Sequence, residues 1–131
     1  MSLYVKQTGT PERPSIVFLH GIGTSGWMWE KQAAAFPDFQ CLIVDLPGHG
    51  RSNHEPWESL ANTADEIAAL IQTRATNGRA HIVGLSLGGY VALVLLERHE
   101  KARAELALLQ KRVAEHGLQG IGPAVAREVL D

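Results

Sequence analysis

Three short apolar runs punctuate the chain: Ile16-Val17-Phe18-Leu19, Cys41-Leu42-Ile43-Val44 and His81-Ile82-Val83. Each is followed within a few residues by glycine or proline, and each has strand rather than helix length, so the pattern predicts three buried strands. Leu3-Tyr4-Val5-Lys6 predicts an additional edge strand that leaves through a turn at Thr8-Gly9-Thr10-Pro11. Between the runs the spacing becomes helical, first over residues 27–36 and then from Thr63-Ala64-Asp65-Glu66 onward. That tetrapeptide fits a capping box, in which the Thr63 hydroxyl and the Glu66 carboxylate each take an orphan amide at the helix start. Ile67, Leu70 and Ile71 supply its apolar stripe. The third strand passes through a very tight turn into a helix over residues 87–99, with Val91, Leu95 and Leu96 among its apolar positions. Strand, helix, strand, helix, strand in this order predicts an α/β fold, a mostly parallel sheet flanked by helices.

The remainder reads differently. Residues 103–116 are rich in Ala, Leu, Glu, Lys and Arg, with Leu106, Leu109 and Val113 at helical spacing. Gly117, Gly120, Gly122 and Pro123 interrupt that pattern before a last short helix expected over about residues 124–130. No further strand is expected, which divides the chain into a core part at 1–99 and a helical segment at 100–131. On that reading the strand at 80–84 is left as an unpaired edge, a surface that invites a homo-oligomer or a complementing chain.

Composition narrows the classes. The chain has 131 residues, 45% of them hydrophobic, and 12 Lys+Arg stand against 14 Asp+Glu, so there is no basic excess with which to neutralise nucleic-acid phosphates. The partner expected is a small molecule. No stretch approaches the roughly 20 apolar residues that a membrane span needs, and the opening Met1-Ser2-Leu3-Tyr4-Val5-Lys6 lacks the layout of a secretory signal. Neither a membrane nor a nucleic-acid partner is expected, and the location expected is cytoplasmic. The single Cys41 lies inside an apolar run and reads as a buried, inert thiol.

The candidate chemistry sits at the third strand. Gly84-Leu85-Ser86-Leu87-Gly88 between a strand and a helix has the form of a nucleophile elbow, a turn sharp enough to expose the serine hydroxyl above the sheet. Gly84 and Gly88 answer a steric need, because larger side chains would meet the neighbouring strand or helix. A bare pentapeptide of this form is also compatible with a turn whose serine does nothing. Its context is His20-Gly21-Ile22-Gly23 directly after the first strand, where an oxyanion loop belongs. The amides of Ile22 and Leu87 are the candidate oxyanion donors, each worth roughly 2.7–4 kcal/mol in a transition state.

With those motifs in place, the chain resembles the α/β-hydrolase superfamily. Asp45-Leu46-Pro47-Gly48-His49-Gly50-Arg51-Ser52 looks like its third marker, a loop that braces the oxyanion loop, and residues 15–99 follow the family in order and spacing. The combination, with Trp29, is most similar to the branch of 3-oxoadipate enol-lactonases, cofactor-free haloperoxidases and related esterases. The resemblance covers the N-terminal half of the fold. It implies a serine hydrolase acting on a small carboxylic ester or lactone through Ser86, with no cofactor; no His, Cys, Asp or Glu pair shows ligand spacing in a suitable setting, so no metal is expected. His20, Gly21, Gly23, Gly84 and Gly88 are implied as motif support, and residues 103–130 resemble the start of a helical cap.

The family's acid and base follow the nucleophile on later loops, and no residue of this sequence matches them. His20 and His49 belong to the two supporting loops, His81 begins a strand, and His54, His99 and His116 read as surface or helix-end residues. Asp45 ends the second strand, where the resemblance makes it structural. Trp27, Met28 and Trp29 read either as pocket wall or as core. The resemblance therefore implies a fragment or an internally deleted form, and a binding module without turnover, or a half-domain that needs a partner, remains the alternative.

Overall fold

A computed structural model of the chain describes residues 3–98 and 124–130. The elements alternate as β1 (Val5–Gly9), β2 (Ser15–Leu19), a 3-10 turn at Gly26–Trp29 that runs into the short α1 (Glu30–Ala33), β3 (Gln40–Val44), α2 (Leu60–Arg74), β4 (Arg79–Leu85), α3 (Leu87–Arg98) and β5 (Ala124–Leu130). The strands form one sheet in the order β1-β3-β2-β4-β5. Its centre is parallel, β2 lying between β3 and β4, while both margins are antiparallel. The α/β class holds, and the sheet is mixed rather than mostly parallel.

The apolar runs form strands because both of their faces are covered. Val17, Leu19, Leu42, Val44 and Ile82 point to one side, where Ala64, Ile67 and Ile71 of α2 and Val91, Leu95 and Leu96 of α3 close over them. Ile16, Phe18, Cys41, Ile43 and Val83 point to the other, against Trp29, Ala33 and Phe36. Burial on both sides makes a strand continuously hydrophobic, which is what the three runs display. Cys41 is fully buried, and burial raises its thiol pKa, as its inert reading requires. Trp29 packs against Phe18 with ring centroids 5.5 Å apart, whereas Trp27 is exposed. Core packing therefore claims Trp29.

Three local expectations are corrected. The first strand lies at Val5–Gly9 rather than at residues 3–6, its register set by pairing from Val5 with Val44 to Gly9 with Gln40. Residues 27–36 do not form one helix; α1 has four residues and follows a 3-10 turn. The α2 helix begins at Leu60, where Ser59 Oγ accepts the Asn62 amide at 2.9 Å, so Ser59 and not Thr63 is the cap. Leu60 packs against the core and Thr63 is fully buried, so the apolar face extends a turn further back than the capping signal implied. Glu66 lies beyond the first turn, where burial first and the nearby Glu55 and Glu58 next raise its pKa.

The largest correction is β5. Residues 124–130 form a strand, not a helix, paired antiparallel to β4 from Arg79 with Leu130 to Leu85 with Ala124. The outer edge of β4 offers a row of backbone donors and acceptors that seek partners, and a segment carrying Val125 and Val129 can satisfy them. The edge strands are accordingly β1 and β5, and β4 is not open. The helix expected over residues 103–116, with His99 and His116, lies outside the described residues.

Candidate active site

The site begins where β4 ends. Ser86 stands between β4 and α3 with φ of 52°, a left-handed backbone that a serine rarely adopts and that costs of order 1–3 kcal/mol. Its carbonyl accepts the Tyr90 amide at 3.0 Å, the first bond of α3, so the serine caps the helix and remains exposed. The turn is this sharp because two glycines permit it. A Cβ on Gly84 would strike the Gly88 backbone, and one on Gly88 would strike the carbonyls of Leu19 and His20. The Gly88 amide donates to the His20 carbonyl at 3.0 Å, which ties the start of α3 to the loop after β2.

That loop lies directly beside the serine. A Cβ on Gly21 would come 3.7 Å from Ser86 Cβ and 3.6 Å from the Leu85 carbonyl. Gly23 takes φ of 77°, and Ile22 between the two glycines is 72% exposed. His20 beneath them is fully buried with both ring nitrogens engaged. Nε2 accepts the Leu46 amide at 2.9 Å, so the ring proton resides on Nδ1, which donates to the Gly21 carbonyl at 2.8 Å. Burial lowers the His20 pKa; the Gly21 bond opposes that shift, the nearby His49 adds to it and Asp45 opposes it. A neutral imidazole therefore joins the loop after β2 to the loop after β3.

Asp45 is the second fastener. Its Oδ1 accepts the Gly26 amide at 2.6 Å and its Oδ2 the Arg51 amide at 3.0 Å, both on a nearly buried carboxylate. A Cβ on Gly26 would come 2.7 Å from Ile43 and 2.9 Å from Asp45, so that position is confined to glycine by close approach. The Ser52 hydroxyl accepts the Tyr4 amide at 2.8 Å, and the His49 ring lies 4.9 Å from the His20 ring with Nδ1 donating to the Pro47 carbonyl at 3.0 Å. The third motif thus braces the loop after β2 through named hydrogen bonds.

Ser86, Gly21, Ile22, Gly23, His20, Gly84, Leu87 and Gly88 are brought to one end of the sheet. The described histidines do not supply a base there. His20 is committed at both nitrogens, His49 is held by Pro47, and exposed His54 faces Glu55 at 3.5 Å. His81 precedes Ser86 by five positions on β4, roughly 16 Å along a strand. A cavity of about 340 Å³ opens at the opposite end of the sheet, lined by Glu12, Pro14, Asn77, Arg79 and His81 among others, and it does not touch the serine. Thr24 is the site residue that sequence reasoning left without a role: its Oγ1 donates to the Gly21 carbonyl at 2.7 Å. A hydroxyl three positions after Gly21 was the available signal.

The family profile for the alpha/beta hydrolase fold matches residues 14–118. The chain belongs to the α/β-hydrolase family. It is 33% identical over 135 residues to a pimeloyl-[acyl-carrier protein] methyl ester esterase of Vibrio cholerae, covering 100% of this chain and 50% of that protein. It is 32% identical over 125 residues to a 2-succinyl-6-hydroxy-2,4-cyclohexadiene-1-carboxylate synthase of Serratia proteamaculans, covering 95% of this chain and 47% of the relative. Among solved structures, the enol-lactonase of Burkholderia xenovorans superposes with a TM-score of 0.65 at 30% identity, over 75% of this chain and 39% of that one. These relatives match the lactonase and esterase branch that the motifs resemble. This α/β-hydrolase chain spans about half the length of the two curated relatives. Among the described residues no helix is long and apolar enough to cross a membrane.

Proposed function

We propose that Ser86 is the nucleophile of a hydrolase acting on a carboxylic ester or lactone of a small molecule. The observation that carries the reading is an exposed serine held at φ of 52° against the loop after β2. Ser86 Oγ attacks the carbonyl carbon while a base takes its proton, and the amides of Ile22 and Leu87 hold the negative oxygen. Collapse breaks the carbon–oxygen bond to the leaving alcohol, which receives the proton, and in a lactone that alcohol stays tethered to the acyl group. Water then attacks the acyl-enzyme, giving the carboxylic acid and free Ser86. No cofactor takes part. No residue of this sequence matches the family's base and acid, so residues 1–99 are assigned the attacking half of the machinery.

Family membership and the esterase and enol-lactonase among its relatives support a hydrolase-type enzyme. Release of p-nitrophenol from p-nitrophenyl butyrate tests it: a burst followed by slower turnover, lost in Ser86→Ala, is the expected result. A rate that Ser86→Ala leaves unchanged contradicts it. A second reading, a binding module without turnover, draws on the described histidines all being engaged elsewhere or distant. It predicts saturable binding of an ester with no burst. The outer edge of β5 offers a surface for association of two copies or of a complementing chain, with light scattering as its test.

A further inference from the structure

We infer that Thr24 is a positioning residue that sets the direction of the Ile22 amide, and so makes the oxyanion loop competent. The inference deepens the proposed function and rests on Ile22 as an oxyanion donor. The Gly21–Ile22 peptide lies beside Ser86, and Gly21 on its N-terminal side carries no Cβ. The orientation of that peptide is set by ψ of Gly21 and φ of Ile22, and glycine leaves the first of these free over a wide range. Something must hold it. The Gly21 carbonyl receives the Thr24 hydroxyl at 2.7 Å, the His20 Nδ1–H at 2.8 Å and, more weakly, the Thr24 amide at 3.3 Å.

Those donors occupy the lone pairs of one oxygen and fix its direction. In a trans peptide the carbonyl and the following N–H point in opposite directions. With the Gly21 oxygen held on the His20 and Thr24 side, the Ile22 N–H is directed away from that side. The Thr24 hydroxyl has one proton to give. Met28 Sδ at 3.3 Å competes for it, but sulfur is a weak acceptor and the carbonyl is closer. His20 alone leaves the carbonyl with one strong donor, and the His20 ring is also answerable to Leu46 on a different loop. Thr24 supplies the local lock.

The test compares Thr24→Val, which swaps the hydroxyl for a methyl of similar volume, with Thr24→Ser, which keeps it. The probe is a fluorophosphonate, whose phosphoryl oxygen uses the same hole, and the readout is its inactivation constants at Ser86. Thr24→Val is expected to lower the maximal inactivation rate roughly 10- to 100-fold, below the loss seen when an oxyanion donor is deleted outright. The probe's half-saturation constant stays unchanged, and Thr24→Ser stays within about 3-fold of the parent on the same scale. A Thr24→Val rate equal to the parent overturns the inference, as does an equal loss in Thr24→Ser. Where Thr24→Val fails to fold, Thr24→Ala carries the same expectation.

If the parent protein is not labelled at all, the proposed function fails by itself and the inference is read by NMR. The Gly21 carbonyl carbon and the Ile22 amide are expected to shift in the hydroxyl-less variant, with the Leu46 amide in place. Unchanged Gly21 and Ile22 signals overturn it.

Discussion

Ser15 and Ser86 stand at opposite ends of two neighbouring parallel strands, and they show what separates a buried structural serine from an exposed one. Ser15 opens β2 and is 1% exposed; its hydroxyl donates to Gln40 Oε1 and accepts the Thr76 amide at 2.9 Å. Thr76 Oγ1 also donates to Gln40 Oε1 at 3.2 Å, and Gln40 Nε2 reaches the Arg74 carbonyl at 3.4 Å, so a closed polar network joins β2, β3 and the end of α2. Ser86 follows β4 at the other end. There too a network of His20, Thr24, Asp45 and Ser52 hydrogen bonds holds the loops, but it holds backbone and leaves the serine hydroxyl exposed. Hydrogen bonding is equally thorough at both ends. The difference is that one end consumes its serine and the other displays it in a strained conformation.

Substitutions can break that contrast. The largest effect is expected at Gly88, where an added Cβ meets the carbonyls of Leu19 and His20 and neither backbone can give way. Gly88→Ala should lose about 3 kcal/mol in urea denaturation, near the upper end of overpacking costs. Ser15→Ala comes next. It leaves the Thr76 amide and Gln40 Oε1 short of a partner, and a loss of about 2 kcal/mol is expected with the reactivity of Ser86 intact. Ser86→Gly should act in the opposite direction, gaining about 1 kcal/mol because glycine adopts the left-handed backbone without penalty. A destabilised Ser86→Gly would mean that the elbow stores no strain.

The smallest effect expected is one of pH. Burial holds the His20 imidazole below its ordinary pKa of 6.5, so the native state resists a proton that the unfolded chain accepts. The stability associated with neutral His20 is complete above pH 6.5 and is lost as the pH falls through the lower native value. A protonated Nε2 could no longer accept the Leu46 amide. Denaturation midpoints measured at pH 7.5 and pH 5.5 should differ in that sense, with the His20 ring shifts moving at a lower pH than those of a free histidine.

How much of this was legible depends on whether the signal was local. The strands β2, β3 and β4 were visible because burial on both faces writes itself into consecutive residues. Ser86, His20 and Gly21 were visible because sharp turns and close approaches demand particular residue types. The α2 start was displaced because Thr63-Ala64-Asp65-Glu66 fits a capping box, while the real cap, Ser59, has Asn62 at the third position after it. Leu60 decided the matter by packing on the core. The β5 strand was not legible, since Ala124-Val125-Ala126-Arg127-Glu128 carries little strand preference of its own and pairs with β4, some forty positions earlier. Thr24 escaped for a related reason: a hydroxyl's role depends on where the Gly21 carbonyl points, which is a property of the folded loop.

The contrast between the two serines is tested most directly by treating the protein with a fluorophosphonate and mapping the adduct by peptide mass. The expected result is a single phosphonylated peptide carrying Ser86, with Ser15 unmodified and no adduct in Ser86→Ala. A folded protein that takes up no label at Ser86, or that is labelled equally at other serines, would contradict the proposal that the end of β4 displays a nucleophile.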